Sequence, residues 1–264
     1  MADLTFDKAA AAYGRFMGHW SRLYIPGLIS ALQLRPGDRV LDVAAGTGEA
    51  ALACAAAVGT HGTVIASDVS VAMLRIAHAK AADQRIAMLA SEGQKLACAP
   101  ASFDGVICVL GLMFFPDPLA GLKEMHRVLR PGGRLAVSVW ATPDRVPLVT
   151  IMLEALVHYL PDERKVIERV FSLSDPRHLA SLIEGAGFAE VSATRATREL
   201  HFQSFEDYWG PVEDGGSRAS APYRELPRDA QENIRAEVRR RLGAFASGGR
   251  FLMEVDMLFA VGRR

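Results

Sequence analysis

The chain alternates between short runs that are almost entirely apolar and longer segments in which apolar residues recur at helical spacing. This alternation marks the elements of the fold. Five short runs are almost continuously apolar and predict buried strands: 39–43, 63–67, 86–89, 105–109 and 135–139. Segments with helical spacing lie between them and predict helices at about 49–58, 70–82 and 119–129. Strands without a polar face that alternate with helices indicate a parallel sheet covered on both sides, in an α/β fold.

The segments outside this alternation follow a different pattern. Residues 6–33 have apolar positions at helical spacing, but Gly and Pro interrupt them and predict two or more short helices. Further along, 178–185 predicts a helix, while 191–200 and 251–261 predict strands. We therefore expect one domain across 1–264, divided into an N-terminal helical lid at 1–34, a cofactor-binding core at 35–140, and a C-terminal part at 141–264 with a helical insertion at about 205–247.

Composition narrows the classes of function. The 264 residues carry 30 basic and 30 acidic side chains, which argues against a chain that mainly grips nucleic acid. Three cysteines without CxxC spacing predict neither a disulfide framework nor a metal site. The first residues lack the pattern of a secretion signal, and no uninterrupted apolar run is long enough to span a membrane. These observations predict a cytoplasmic protein without a membrane span.

The segment Arg39–Gly48 carries the strongest chemical signal. It predicts a strand that ends in Asp42 and continues through a glycine turn into a helix, so that backbone N–H groups face a ligand. An acid at this place repels phosphate and suits a cationic ligand. Asp68, Glu92 and Asp104 are expected beside Asp42 at the carboxyl ends of neighbouring strands.

The residues by themselves leave other functions open. Asp68 follows the glycine turn and ends the second strand, where an acid can bind ribose hydroxyls. Nicotinamide-dependent oxidoreductases share this arrangement, and 46–51 loosely matches their glycine fingerprint. A non-catalytic binding protein that retains the fold is a further alternative, because a fold does not by itself imply activity.

Five segments in order resemble the signature motifs of class I S-adenosylmethionine-dependent methyltransferases, and among them the ubiquinone and menaquinone C-methyltransferases. The segments are Val40–Gly48, Ser67–Ser70, Ser91–Leu96, Ser102–Ile107 and Arg127–Gly133. The resemblance implies a Rossmann-like sheet of seven mostly parallel strands whose last strand is antiparallel. It also implies an enzyme that uses S-adenosylmethionine as its cofactor.

The resemblance further implies which residues bind the cofactor. Asp42 and the backbone of the turn would hold its methionine end, Asp68 its ribose, and Glu92 its adenine. The chain departs from the family pattern where Ala44 replaces a glycine and where Glu92-Gly93 replaces Asp-Ala. The complete implied set is Tyr13, Trp20, Asp42, Ala44, Gly46, Gly48, Asp68, Val69, Met73, Glu92, Gly93 and Leu110.

The acceptor and the general base have weaker signals. Aromatic residues after the fourth strand, Phe114 and Phe115, could pack a hydrophobic or aromatic acceptor for C-, O- or N-methylation, or could be ordinary core. His19 is a weak candidate for a catalytic base, and His126 is expected to be structural. The expected partner is this small molecule, with no nucleic acid, and a homodimer is left open.

Overall fold

The computed structural model describes residues 10–81, 85–215 and 220–264, with side chains at 10–13, 15 and 16 outside that description. In the N-terminal half the elements are α1 (Ala10–Ser21), α2 (Ile25–Leu32), β1 (Arg39–Val43), α3 (Glu49–Val58), β2 (Thr63–Asp68), α4 (Val71–Lys80), β3 (Ile86–Ala90), β4 (Phe103–Val109), α5 (Pro118–Val128) and β5 (Leu129–Trp140). In the C-terminal half they are α6 (Pro147–Val157), α7 (Glu163–Val170), α8 (Pro176–Gly185), β6 (Ala189–Phe202), α9 (Phe205–Glu213), α10 (Ser220–Glu225), α11 (Arg228–Leu242), β7 (Ala246–Ser247) and β8 (Arg250–Arg263).

The strands form one sheet in the order β3-β2-β1-β4-β5-β8-β6, and the short β7 pairs with β8. The first five strands are parallel to one another, whereas β8 runs antiparallel to both β5 and β6. The predicted Rossmann-like α/β sheet with an antiparallel last strand is therefore confirmed. Since β1 lies between β2 and β4, the strand order reverses there, and the carboxyl end of β1 is the expected ligand crevice.

Buried apolar side chains cover both faces of the sheet. On one face α2, α3 and α4 contribute residues such as Leu28, Cys54 and Leu74. On the other face, α5, α6 and α8 contribute Leu122, Leu156 and Leu179. This two-sided burial explains why the parallel strands are continuously apolar in sequence. No helix in the described part of the chain is long and apolar enough to cross a membrane.

Two helices were absent from the sequence interpretation. Helix α6 has the sequence PLVTIMLEALV and is buried along most of its length, so it lacks the polar face that marks an amphipathic helix. Helix α7 follows it and adds a second helix before α8. The C-terminal addition is therefore helical well before residue 205, and the helical insertion predicted at 205–247 corresponds to α9, α10 and α11.

Candidate functional site

The turn between β1 and α3 follows the carboxyl end of the central strand. Ala44, Gly46 and Gly48 have positive φ angles of 56°, 53° and 88°. The backbone N–H of Ala45 donates to the carbonyl oxygen of Ser67 at 3.0 Å, which ties the turn to β2. A Cβ atom on Gly48 would lie 2.9 Å from the Cβ of Ala77, so both conformation and space require glycine there.

Ala44 occupies the position where the family resemblance implied glycine, and its surroundings explain how alanine fits. A Cβ on Gly111 would lie 2.5 Å from the Cβ of Ala44. The missing side chain at 111, directly after Leu110, therefore provides the space that the methyl group of Ala44 fills. The left-handed conformation of Ala44 still costs about 1–2 kcal/mol relative to glycine.

Asp42 is the central electrostatic feature of the site. The residue is 1% exposed, and neither carboxylate oxygen has a hydrogen-bond partner among the described residues. Burial raises the pKa of Asp42 well above its usual range; the nearby backbone N–H of Ala51 opposes the increase, while Asp68 and Glu49 add to it. A buried carboxylate without a partner is costly, and a cationic ligand would provide the missing partner.

Asp68 holds the rim of the turn through both carboxylate oxygens. The backbone N–H of Gly46 donates to its Oδ2 at 2.8 Å, and the N–H of Ser70 donates to its Oδ1 at 2.8 Å. Ser70 in turn caps α4, because its Oγ accepts the N–H of Met73 at 3.1 Å. These contacts connect the turn after β1 with the end of β2. Since each carboxylate oxygen can accept more than one hydrogen bond, the arrangement is compatible with ribose hydroxyl donors.

Glu49, the first residue of α3, belongs to the same acidic group and was missed by the sequence interpretation. Its side chain is 7% exposed and accepts hydrogen bonds from Lys80 Nζ and Thr47 Oγ1, both at 2.6 Å. Burial alone would raise the pKa of Glu49, but these two hydrogen bonds outweigh it and lower the pKa. An acidic residue directly after the glycine turn, in the first turn of a helix, was the available sequence signal.

Helix α1 packs over Glu49 through two glycines. A Cβ on Gly18 would lie 2.8 Å from Oε1 of Glu49, and a Cβ on Gly14 would lie 3.3 Å from Nζ of Lys80. Glycines four residues apart lie on one helix face, so α1 approaches the turn along its glycine face. Farther along α1, the ring of Trp20 is buried 4.7 Å from the ring of Phe202.

The remaining predicted cofactor residues lie around this turn with different exposure. Val69 is 53% exposed directly after β2, Met73 is buried in α4, and Glu92 is exposed after β3. Leu110 has φ of 54° and donates its backbone N–H to the carbonyl oxygen of Ser138 at 3.0 Å. The side chain of Tyr13 lies outside the described residues.

Gly93 lies in close contact with the ring of Phe115, and the role of its backbone in binding the adenine stays a prediction. A Cβ on Gly93 would lie 2.1 Å from the Phe115 ring, and one on Gly121 would lie 2.3 Å from it. The ring therefore fills a slot between these two glycines and joins the loop after β3 to α5. Phe115 packs as core in this arrangement.

The two histidines considered in the sequence analysis, His19 and His126, have different surroundings. His19 is exposed on α1, with its ring at 4.5 Å from the ring of Trp20 in an edge-on arrangement. Its catalytic role stays a prediction. His126 packs edge-on against Phe188 at 5.0 Å, and burial lowers the pKa of His126, in keeping with its expected structural role.

The prediction that Asp104 lies at the carboxyl ends of the strands is wrong. Asp104 is the second residue of β4 and therefore lies at its amino end. Its Oδ2 accepts the backbone N–H of Arg39, the first residue of β1, at 2.8 Å and also pairs with Arg130. The predicted strand 105–109 already followed Asp104 in the chain, so chain order alone placed this residue before the strand and not after it.

Comparison with known proteins agrees with this geometry. The ubiE/COQ5 methyltransferase family matches residues 19–201. The chain is 36% identical over 200 residues to a demethylmenaquinone methyltransferase of Mycolicibacterium vanbaalenii, covering 72% of this chain and 82% of that protein. It is 30% identical over 204 residues to a ubiquinone/menaquinone biosynthesis C-methyltransferase of Coxiella burnetii, covering 70% and 82%.

Solved structures show the same fold at lower identity. The YcgJ protein from Bacillus subtilis superposes with a TM-score of 0.59 at 18% identity, covering 93% of this chain and 98% of that one. Phosphoethanolamine N-methyltransferase 2 of Haemonchus contortus gives 0.58 at 15% identity, covering 100% and 60%.

Fold and site together define an α/β enzyme of the class I methyltransferase type, with an acid-lined turn suited to a cationic cofactor. The chain belongs to the ubiE/COQ5 methyltransferase family, and S-adenosylmethionine is its cofactor. The comparisons give no support to the oxidoreductase alternative or to the non-catalytic alternative.

Proposed function

We propose that this chain transfers a methyl group from S-adenosylmethionine to a ring carbon of a small aromatic acceptor of the hydroquinone type. The matched relatives named as demethylmenaquinone and ubiquinone/menaquinone C-methyltransferases support this acceptor class. The observation that carries the proposal is the position of α1, which contacts the cofactor turn at Gly18 and an aromatic cluster at Trp20. An acceptor between the turn and that cluster would meet ring faces and apolar side chains.

The residues around the turn fit the cofactor in charge and in hydrogen-bonding capacity. S-adenosylmethionine, when bound, supplies an electrophilic methyl group on a positively charged sulfur and also carries an ammonium group. Asp42 would provide a carboxylate for this cationic methionine end, and its present lack of a partner among the described residues is the observation behind the assignment. Asp68 would accept from the ribose hydroxyls while holding Gly46, and Val69 and Glu92 would face the adenine.

The protein's contribution to the chemistry is chiefly positioning and shielding. Methyl transfer is an in-line displacement, so alignment of the ring carbon with the methyl group is the main requirement. Helix α1 would exclude water from the turn, and the ring of Trp20, which packs in an aromatic cluster with the fully buried rings of Phe202 and Tyr208, would orient the acceptor ring. Within this cluster the Phe202 and Tyr208 rings lie 5.2 Å apart. Transfer would exchange the methyl–sulfur bond for a new carbon–carbon bond, and the ring carbon would then lose its proton to a base, for which His19 is the proposed candidate.

The proposal is tested by determining whether the methyl group is transferred to a ring carbon or to an oxygen atom. Purified protein is incubated with methyl-labelled S-adenosylmethionine and 1,4-naphthohydroquinone, and the product is analysed by mass spectrometry and NMR. We expect methylation at ring carbon 2, and we expect the oxidised naphthoquinone to be inert because its ring is electron-poor. Exclusive formation of a methyl ether, or equal reaction of the oxidised form, would overturn the proposal.

A further inference from the structure

A pocket is formed on strands β5, β8 and β6, which follow β1 and β4 in the sheet order. It has a volume of about 500 Å³ and is formed by the end of β5, the face of β6 and β8, and the start of α8. The lining residues are Ala141, Thr142, Ser174, Asp175, Pro176, Arg177, Ala193, Arg195 and Leu258. None of the residues assigned to the cofactor contributes to it.

The pocket combines an apolar floor with a polar rim. Ala141, Ala193 and Leu258 provide the floor, while two hydroxyl side chains and two guanidinium groups stand around it. A volume of this size is within the range of sites for small organic ligands. The pairing of an apolar surface with cationic groups selects a ligand that has both an apolar body and a negative charge.

A buried carboxylate holds one of the two arginines in place. Asp256 is completely buried on β8, and the Nε of Arg195 lies 3.5 Å from its Oδ2. Arg145 pairs with the same oxygen at 2.8 Å, and the hydroxyl of Thr197 donates to Oδ1 at 2.7 Å. This contact uses Nε, and the terminal Nη groups of Arg195 make no hydrogen bond to any described residue, so they are available to an anion in the pocket.

Arg177 supplies a second cation. Its guanidinium has neither an ion-pair nor a hydrogen-bond partner in the part of the chain that the structure describes. Asp175 is the opposing charge at the pocket, but its Oδ1 already accepts the backbone N–H groups of Arg177 and His178, at 2.7 and 3.3 Å. With Asp256 compensated by Arg145, the pocket retains a net positive charge.

We propose that this pocket binds a small organic anion, a carboxylate or a phosphate ester with a short apolar body, separately from the cofactor. Arg195 and Arg177 bind the head group, since guanidinium forks match carboxylate and phosphate oxygens. Leu258 and the two alanines contact the apolar body. The inference is independent of the acceptor proposed above, because it concerns a different part of the sheet.

The test uses calorimetric titration of the full chain with hexyl phosphate and hexanoate as probes. Hexanol, which lacks the anionic head group, and inorganic phosphate, which lacks the apolar body, are titrated for comparison. We expect saturable binding of at least one anionic probe, and we expect hexanol and inorganic phosphate to bind at least about tenfold more weakly because each lacks one type of contact. The head group that binds more tightly identifies the carboxylate or the phosphate class.

Variants assign the binding to the pocket. Arg177→Ala and Arg195→Ala should each weaken the probe about tenfold or more, and Arg195→Lys should also weaken it because the fork is lost. Arg164→Ala, which removes an exposed arginine of α7 outside the pocket, is the matched control and should bind normally. S-adenosylmethionine affinity, measured in parallel, should be unchanged in all four. Absent binding, unchanged binding in both alanine variants, or equally tight binding of inorganic phosphate would overturn the proposal.

Discussion

At the scale of single residues, the cofactor turn combines backbone positions that few side chains tolerate with a carboxylate that water does not reach. Ala44, Gly46 and Gly48 have positive φ, and Asp42 is buried below them without a partner among the described residues. Such an arrangement is less stable in the free protein than a neutral, relaxed turn would be. Binding of a cationic ligand relieves part of this destabilisation, because the same buried carboxylate then gains a partner.

The first prediction follows for Asp42→Asn. Replacing the buried carboxyl group by an amide should increase the free energy of unfolding of the ligand-free protein by about 1 kcal/mol at neutral pH, because folding then no longer requires Asp42 to take up a proton. The same change should weaken S-adenosylmethionine binding about tenfold or more, because the charge-assisted contact is lost. Denaturant unfolding and calorimetric titration measure the two effects. Asp144→Asn, at an exposed position, is the control and should alter neither quantity.

The pH dependence of binding has a defined direction. The raised pKa of Asp42 means that the folded free protein keeps a proton that the unfolded chain loses above a pKa of about 4. Stability of the free protein should therefore fall as pH rises from there toward the raised pKa, and S-adenosylmethionine affinity should rise over the same interval. Titration in buffers of different ionisation enthalpy should reveal proton release on binding. Proton uptake would contradict this account.

Steric constraints in the turn give a prediction for Gly48→Ala. The residue would have to keep φ near 88°, and its added methyl group would lie 2.9 Å from the Cβ of Ala77. We expect a loss of about 2–3 kcal/mol in the free energy of unfolding, from left-handed strain together with overpacking. Thermal and denaturant unfolding measure this loss. Gly37→Ala is the control, since Gly37 has φ of 94° but no heavy atom within 4 Å of the added Cβ, and it should lose only the part due to strain.

At the scale of elements, the alternating strands and helices of the first five strands were predictable from sequence, whereas helices α6 and α7 and some side-chain partners were not. Apolar runs identified β1 to β5, because burial of a strand on both faces is a local signal. Helix α6 was missed because burial on most sides removes the polar face that defines a helical period. Glu49 was missed because its role depends on Lys80 and on α1, which only the folded chain brings together.

Docking of α1 on the turn gives a prediction at this scale. Gly18→Ala would place a methyl group 2.8 Å from Oε1 of Glu49 and should push α1 away from the turn. We expect the rate of methyl transfer to fall about tenfold or more, because a misplaced lid no longer excludes water or aligns the acceptor. Gly243→Ala is the matched control, since nothing lies within 4 Å of its added Cβ and its backbone is in the right-handed helical region. Equal activity of the two variants would contradict a role for this contact.

At the scale of the whole molecule, the N-terminal helices rest on the C-terminal strands. The hydroxyl of Tyr24, directly before α2, donates to the carbonyl oxygen of Val255 on β8 at 2.6 Å. Arg198 on β6 donates from Nε to the carbonyl oxygen of Leu23 at 3.0 Å and lies 5.5 Å from the centre of the Tyr24 ring. Because α1 directly precedes these contacts, we expect its position beside the turn to depend on strands from the C-terminal part of the sequence.

This dependence predicts a coupled effect of Tyr24→Phe. Tyr24 is fully buried, and burial raises the pKa of its hydroxyl, so the group stays neutral and acts as a hydrogen-bond donor to β8. Loss of this bond should lower the free energy of unfolding by about 1 kcal/mol. It should also reduce methyl transfer if α1 is held in place through α2 and β8. Tyr159→Phe provides the control, because the hydroxyl of Tyr159 makes no hydrogen bond to any described residue. A variant that loses stability but keeps full activity at saturating cofactor would show that the lid is positioned by α1 alone, through its glycine contacts with Glu49.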